Sequence, residues 1–186
     1  MSLLRFAALT ALGAVVLAGD ARAQPPTLGN VAAAPVDASV VPADAPAWQP
    51  ISEAVAAVQR DSTVLLVHAY AVWCGWCTRV DREVYTDDAV QAYLAERFTV
   101  ARLDVESPDS VAFFGDTTTM RALGTALGVR GTPTTAFFDP NGGYITMLPG
   151  FTPPARFLQI LRFIGEGAYE RMSFEEFTAA QGAPGG

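Results

Sequence analysis

The sequence predicts an α/β domain with a central mixed sheet of about four strands, helices on both faces and an extra helix at its C-terminal end. Two observations carry this prediction. An apolar, β-rich run at 63–70 is typical of a central strand that is covered on both faces. Helical patterns alternate with strands as far as residue 127, whereas 134–148 reads as a β-hairpin. Parallel strands joined by helices therefore come first, and an antiparallel pair comes last.

Helices are indicated by apolar residues at three- and four-residue spacing, and strands by short apolar runs rich in β-branched residues. In chain order these patterns predict a helix at 51–59, a strand at 63–70, a helix that reaches Val84, a helix at 89–97, a strand at 98–104, a helix at 120–127, strands at 134–138 and 144–148, and helices at 153–164 and 173–180. Residues 105–117, with a proline, a glycine and several polar side chains, read as a loop or short insertion.

Turn and capping residues predict the ends of several elements. Gly128 is placed to close the helix at 120–127. The segment Asp139-Pro140-Asn141-Gly142-Gly143 is typical of a hairpin turn between the last two strands. The final helix begins with Ser173-Phe174-Glu175-Glu176, which is a capping box.

The first 23 residues read as a signal peptide. Arg5 supplies a short positive region, an apolar run extends from Phe6 to Ala18, and small residues stand at the cleavage positions Ala21 and Ala23. This run is shorter than the roughly 18 residues that a membrane-spanning helix needs. We therefore expect a periplasmic or otherwise exported protein, cleaved after Ala23. An uncleaved N-terminal membrane anchor is the alternative.

The remaining chain divides into three predicted parts. Residues 24–47 are a Pro/Ala-rich flexible linker, 48–181 form the folded domain, and 182–186 are a disordered tail. The formal net charge is −7 and no basic run occurs. An acidic chain of this kind argues against nucleic acid and anionic membrane surfaces as partners.

The two cysteines of the chain lie in Trp73-Cys74-Gly75-Trp76-Cys77, directly after the predicted central strand. Such a pair on a first helical turn can form a small disulfide ring or open to a dithiol. Backbone N–H groups at the helix start stabilise the thiolate of Cys74, which makes Cys74 the expected nucleophile. Cys77, a turn further in and less exposed, then resolves the mixed disulfide. Trp73 and Trp76 would offer a flat apolar surface to a partner chain.

A metal site is the competing interpretation of the cysteine pair. Zinc needs about four ligands, whereas the chain has two Cys and one His. We therefore expect no metal, and no cofactor other than the redox-active Cys74–Cys77 disulfide. A Cu(I)-binding module that uses both sulfurs as soft ligands stays open as an alternative, although it lacks a third ligand near the pair.

A second motif, Gly131-Thr132-Pro133-Thr134, stands at the entrance of the strand at 134–138. Proline at a strand entrance is often a simple edge or turn residue. A cis peptide bond here would instead turn the Thr132 backbone toward the sulfurs, where a substrate strand could pair with it. Spacing alone leaves both interpretations open.

Together, the run 67–77, the Thr132-Pro133 motif and the hairpin 137–148 resemble the thioredoxin superfamily over about residues 50–165. Softer features at 83–87, 137–142 and 150–151 are similar to exported thioredoxin-like proteins of the SoxW type and to the C-terminal domain of the transmembrane thiol reductase DsbD. The resemblance implies a thioredoxin fold. Further implications are Cys74 as nucleophile, Cys77 as resolving thiol, Pro133 in cis, and substrate contacts from Trp73, Gly75, Trp76, Thr132 and Pro133.

His68 is a departure from that family, which usually has a buried aspartate six residues before the first cysteine. A neutral imidazole beneath the pair can accept a proton from Cys77. The other interpretation is a satisfied core histidine. On the first interpretation, His68→Ala slows resolution of the mixed disulfide without abolishing attack by Cys74.

The direction of electron flow is inferred from what the motif lacks. Strong oxidants of the superfamily usually carry a His inside the CxxC, and isomerases tend to add a dimerisation domain; neither occurs here. We therefore expect a monomeric reductase with a potential between about −270 and about −180 mV, with thiol oxidation or isomerisation as the alternative. The implied partners are exported proteins with disulfides, and a membrane thiol-electron transporter as donor.

Overall fold

The computed structural model describes residues 45–182 of the 186-residue chain. The predicted signal peptide lies outside these residues, as do most of the predicted linker and tail. In chain order the elements are α1 (Ile51–Asp61), β1 (Val64–Tyr70), α2 (Gly75–Glu83), α3 (Asp88–Arg97), β2 (Phe98–Asp104), β3 (Ser110–Phe113), β4 (Asp116–Thr119), α4 (Met120–Ala126), β5 (Thr134–Phe138), β6 (Tyr144–Pro149), α5 (Pro154–Gly165), a 3-10 turn (Ala168–Glu170) and α6 (Phe174–Gly182).

The central sheet has four strands in the order β2-β1-β5-β6. Strand β1 is parallel to β2 and antiparallel to β5, and β6 is antiparallel to β5. The predicted mixed sheet is therefore confirmed. The sequence produces this order because a helical crossover joins β1 to β2, whereas a tight turn joins β5 to β6.

Side chains of β1 alternate between two apolar cores, which explains the near-continuous apolar run in its sequence. Leu65, Val67 and Ala69 face the core beneath α1 and α4, whereas Leu66 faces the core beneath α2, α3 and α5. Helices thus cover both faces of the sheet, as predicted. His68 shares the face of Leu66, and the imidazole is consequently fully buried.

Residues 105–117 form a short insertion, the second of the two predicted possibilities, and not a loop. They contain β3 and the start of β4, which pair antiparallel as a separate two-stranded sheet. Val111 is buried in the core beneath α1, and the Phe113 ring lies edge-on to Phe138 at 5.2 Å. The turn between the strands uses Phe114 and Gly115 at positive φ. The segment resembles a loop in sequence because its apolar run, at 111–114, is only four residues long and stands among polar residues, a proline and a glycine.

The predicted turn and capping residues are found at their expected places. Ser173 and Glu176 exchange side-chain and backbone hydrogen bonds at the start of α6, which confirms the capping box. In the β5–β6 turn, Asp139 Oδ1 accepts from the backbone N–H groups of Asn141 and Gly143. Among the described residues no helix has both the length and the apolar character required to cross a membrane.

Candidate active site

The cysteine pair lies beyond the carboxyl end of β1, in the middle of the sheet. Strand β1 ends at Tyr70 and α2 begins at Gly75, so Cys74 is the N-cap residue of that helix. Its Sγ accepts a hydrogen bond from the Cys77 backbone N–H at 3.1 Å. A disulfide joins Cys74 to Cys77. The predicted order of strand, turn and cysteine at a helix start is therefore present.

Both cysteines are buried while their neighbours are exposed. Cys74 is 5% and Cys77 3% exposed, so the expected difference in accessibility between the two is small in the disulfide form. Trp73 and Trp76, in contrast, are 66% and 56% exposed. Large aromatic side chains that remain in water beside a reactive group are typical of a contact surface for another molecule.

Side-chain contacts hold the indole of Trp76 on one side of the pair. Its ring lies 6.0 Å from that of Phe151, and the Arg79 guanidinium carbon lies 5.1 and 4.6 Å from the centroids of these two rings. Arg79 also pairs with Glu83 at 2.9 Å, one turn further along α2. The cation is thereby positioned over both aromatic faces.

The Thr132–Pro133 peptide bond is cis, as the family resemblance implies. Pro133 is buried, and its carbonyl accepts a hydrogen bond from Gly150 N–H at 2.8 Å, which ties the motif to the end of β6. Thr132 and Trp73 line the same surface hollow, so the structure brings the second motif beside the cysteine pair. Thr132 Oγ1 is buried and has no hydrogen-bond partner among the described residues.

His68 lies in the sheet, surrounded by aromatic and hydroxyl groups. Its Nδ1 is 3.1 Å from the Tyr85 hydroxyl and 3.3 Å from Thr135 Oγ1, and its ring is 6.0 Å from that of Trp48. Burial, reinforced by the positive charge of Arg102, lowers the pKa of His68 to about 3. The imidazole is therefore neutral at ordinary pH.

No hydrogen bond connects His68 to either cysteine in the part of the chain that the structure describes. Its Nε2 is buried there without a partner. The proton-acceptor role of His68 toward Cys77 stays a prediction. The interpretation as a core histidine accounts for Nδ1 but leaves Nε2 unsatisfied.

Sequence reasoning missed a buried ion pair next to the site. Asp81, one helical turn after Cys77, lies 3.0 Å from Arg102 of β2, and the two side chains are only 8% and 11% exposed. The Arg102 guanidinium also lies over the Tyr70 ring at 4.2 Å. Burial raises the pKa of Asp81, and the charge and hydrogen bond of Arg102 partly offset this increase. The sequence did contain a signal for Asp81: it follows Cys77 by four residues, so the two side chains lie on the same face of the predicted helix.

Within residues 45–182, no three His, Cys, Asp or Glu side chains lie close enough together to hold a metal ion. The arrangement at the start of α2 can perform thiol–disulfide exchange, in which a sulfur is attacked in line by a thiolate.

Comparison with known proteins supports the same chemistry. Residues 51–165 match the family described as Thioredoxin-like domain. A thioredoxin from Thermus thermophilus is similar in structure, with 29% sequence identity and a TM-score of 0.53, covering 64% of this chain and 87% of that one. A putative disulphide-isomerase from Bacteroides thetaiotaomicron shares the fold at 24% identity and a TM-score of 0.54, over 71% of this chain and 99% of that one.

A thioredoxin-fold protein from Helicobacter pylori likewise shares the fold, at 23% identity and a TM-score of 0.53, over 64% of this chain and 80% of that one. The search of curated proteins yields no match. Because the family match covers more than half of the chain and spans both motifs, this protein belongs to the thioredoxin superfamily and is a thiol–disulfide oxidoreductase with a thioredoxin-like domain.

Proposed function

We propose that this protein is an exported reductase that opens disulfides in other exported proteins through Cys74 and Cys77. One observation carries the proposal: the Cys74–Cys77 disulfide lies at a helix start, beside the cis Thr132–Pro133 bond and between exposed indoles. This arrangement leaves room for an extended partner chain next to the sulfurs.

The reaction begins with the dithiol form. The Cys74 thiolate attacks one sulfur of the substrate disulfide, whose S–S bond breaks, and the other substrate sulfur leaves as a thiolate that takes up a proton. The Cys77 thiolate then attacks Cys74 in the mixed disulfide, forming the Cys74–Cys77 bond and releasing the second substrate thiol. Two electrons pass to the substrate. A donor, which we take to be a membrane thiol-electron transporter, must return two electrons for the next cycle.

The surrounding residues position the substrate in this scheme. Trp73 and Trp76 provide apolar contacts on either side of Cys74. Gly75 has no heavy atom within 4 Å of the position that a Cβ would occupy, so a partner backbone can approach closely there. Thr132 and Pro133 present a backbone edge with which an extended substrate can pair.

Two sequence features support export and reduction. The leader pattern at 1–23 favours export, and the absence of His between the two cysteines argues against a strong oxidant. The proposed reaction requires no cofactor beyond this redox-active disulfide. Thiol oxidation or isomerisation on the same fold remains the second candidate, because direction depends on the potential of the couple.

Redox equilibration tests the direction. The full-length mature protein is incubated in glutathione or dithiothreitol buffers, and the dithiol fraction is measured by thiol alkylation. We expect a potential between about −270 and about −180 mV together with reduction of insulin disulfides. A value near about −120 mV, which is typical of strong oxidants, would contradict reduction. Recovery of the chain with the leader intact in the cytoplasmic fraction of its host would contradict export.

A further inference from the structure

The surface beside the cis-proline is cationic, although the chain as a whole is acidic. Two hollows, of about 290 and about 450 Å³, adjoin the segment that contains Arg130, Gly131 and Thr132. These three residues line both hollows. We define the pair of hollows with this shared wall as the Arg130 groove. Its position matters because Trp73, the neighbour of Cys74, lines the smaller hollow.

The charge of the groove has one sign. Arg130 contributes to both hollows and Arg121 to the smaller one, whereas neither hollow is lined by Asp or Glu. Arg130 is exposed and forms no ion pair within residues 45–182. The guanidinium of Arg121 donates to the backbone carbonyl of Glu106 and has no carboxylate partner in the same residues. Two guanidinium groups are thus available to a ligand on a chain whose formal net charge is −7.

The remaining lining of the groove is suited to a polypeptide. Val105 and Val129 line the smaller hollow, and Met147 and Pro149 the larger one. An extended chain that lies along the shared wall can place apolar side chains in the hollows.

We propose that the disulfide substrate is a protein segment with acidic residues beside its reactive cysteine, held by Arg130 with help from Arg121. This inference rests on the proposed function and specifies its substrate class. A guanidinium presents paired N–H donors that match a carboxylate, so Arg130 can bind Asp or Glu with two parallel hydrogen bonds. Opposite charges across the groove also increase the rate of productive encounter, and they disfavour basic segments.

Three peptides test the proposal. They are identical except for the two residues that flank a single cysteine, which are Glu, Gln or Arg, and each carries the same coloured thiol in disulfide linkage. Full-length mature protein is reduced, desalted and mixed with each peptide, and release of the coloured thiol gives the rate constant. We expect the Glu peptide to react about three- to fivefold faster than the Gln peptide, and the Arg peptide to react more slowly than both. The Glu-to-Gln ratio should decrease when NaCl is raised from about 20 to about 500 mM.

Two variants with the same change in net charge complete the design. Arg130→Gln should bring the Glu-to-Gln ratio close to one. Arg60→Gln is the matched control, because Arg60 is exposed at the end of α1, just before β1 begins, and the cysteines lie beyond the opposite end of β1. We expect that control to keep the wild-type ratio.

The outcomes separate the two proposals. Equal rates for all three peptides, or an equal loss of preference in Arg60→Gln, would overturn the acidic-substrate inference and leave the reductase proposal intact. No reduction of any peptide or of insulin by the dithiol form would overturn the reductase proposal, and the substrate inference with it.

Discussion

Asp81 and Arg102 form an ion pair, 3.0 Å apart, in the interior of the molecule, one helical turn beyond the resolving cysteine. The pair links α2 to β2 across the edge of the apolar core. Only one carboxylate oxygen is used: Asp81 Oδ1 and Arg102 Nε are buried without partners among the described residues. Buried charges are tolerated only when they neutralise each other, so the two residues should behave as a unit.

Our first prediction concerns this unit. Asp81→Asn should destabilise the protein by about 3 kcal/mol or more, because it leaves the Arg102 charge buried and uncompensated. The double variant Asp81→Leu/Arg102→Met should lose less free energy of unfolding than Asp81→Asn, since no buried charge remains. Urea unfolding of the single and double variants measures the coupling free energy.

The exposed pair Arg79 and Glu83 serves as the comparison, because both side chains are about half exposed. Breaking it with Glu83→Gln should cost less than about 1 kcal/mol. If Asp81→Asn were no more destabilising than Glu83→Gln, the interior pair would not be the structural unit described.

A second prediction follows from the buried imidazole of His68, whose pKa is lowered to about 3 from its ordinary value of 6.5. Between these two pH values the unfolded chain binds a proton that the native protein does not. The stabilising contribution is therefore fully present above about pH 6.5 and is lost as pH falls toward about 3, with a limiting slope of about 1.4 kcal/mol per pH unit.

Urea unfolding at several pH values between about 7.5 and about 4 measures this effect. His68→Gln should show a flatter decrease in the free energy of unfolding than the wild type, since glutamine does not titrate. Parallel pH profiles for the two proteins would show that the imidazole binds its proton at the same pH in the native protein as in the unfolded chain.

The third prediction addresses the kinetic role of His68. If its unpartnered Nε2 handles the proton of Cys77, His68→Ala should slow resolution of the mixed disulfide while Cys74 still attacks. Single-turnover experiments separate the two steps, because attack forms the mixed disulfide and resolution consumes it. An unchanged resolution rate across about pH 5.5–8 would assign His68 to the core alone.

A fourth prediction assigns the roles of the two sulfurs. Cys77→Ala should accumulate mixed disulfides with partner proteins, because Cys74 can attack but nothing resolves the product. Cys74→Ala should accumulate far fewer, since Cys77 lies inside the first turn of α2 and not at its N-cap, where backbone N–H groups favour the thiolate. Non-reducing gel electrophoresis of extracts from cells that express each variant measures the adducts. Equal trapping by both variants would contradict the assignment.

The features that sequence predicted depend on short stretches of chain. The central strand, the turn after Phe138 and the capping box at Ser173 each have a local signal within about ten residues. The cysteine pair was predictable for the same reason. Assigning Thr132 and Pro133 to the same site as the cysteines required the family resemblance in addition. Spacing alone did not decide whether Pro133 is a simple edge residue or a cis-proline beside the sulfurs.

What sequence missed depends on contacts between distant segments. Asp81 and Arg102 each look like an ordinary surface charge, and only the packing of α2 against β2 buries them together. The β3–β4 hairpin was missed because its apolar run, at 111–114, is short and Val111 alone is deeply buried there. Arg130 likewise became a candidate binding residue only because it lines both hollows. No local sequence pattern predicts those hollows.

The exposed indoles beside the sulfurs give this protein a built-in optical signal. Trp73 and Trp76 are covalent neighbours of Cys74 and Cys77, whereas the third indole, Trp48, is partly buried and packs against Tyr85. A disulfide quenches nearby indole emission by accepting an excited electron, and a dithiol does so much less. Opening and closing of the bond should therefore be visible as a change in intrinsic fluorescence, without any attached dye. The same two side chains that meet the substrate would then report each turnover as it occurs.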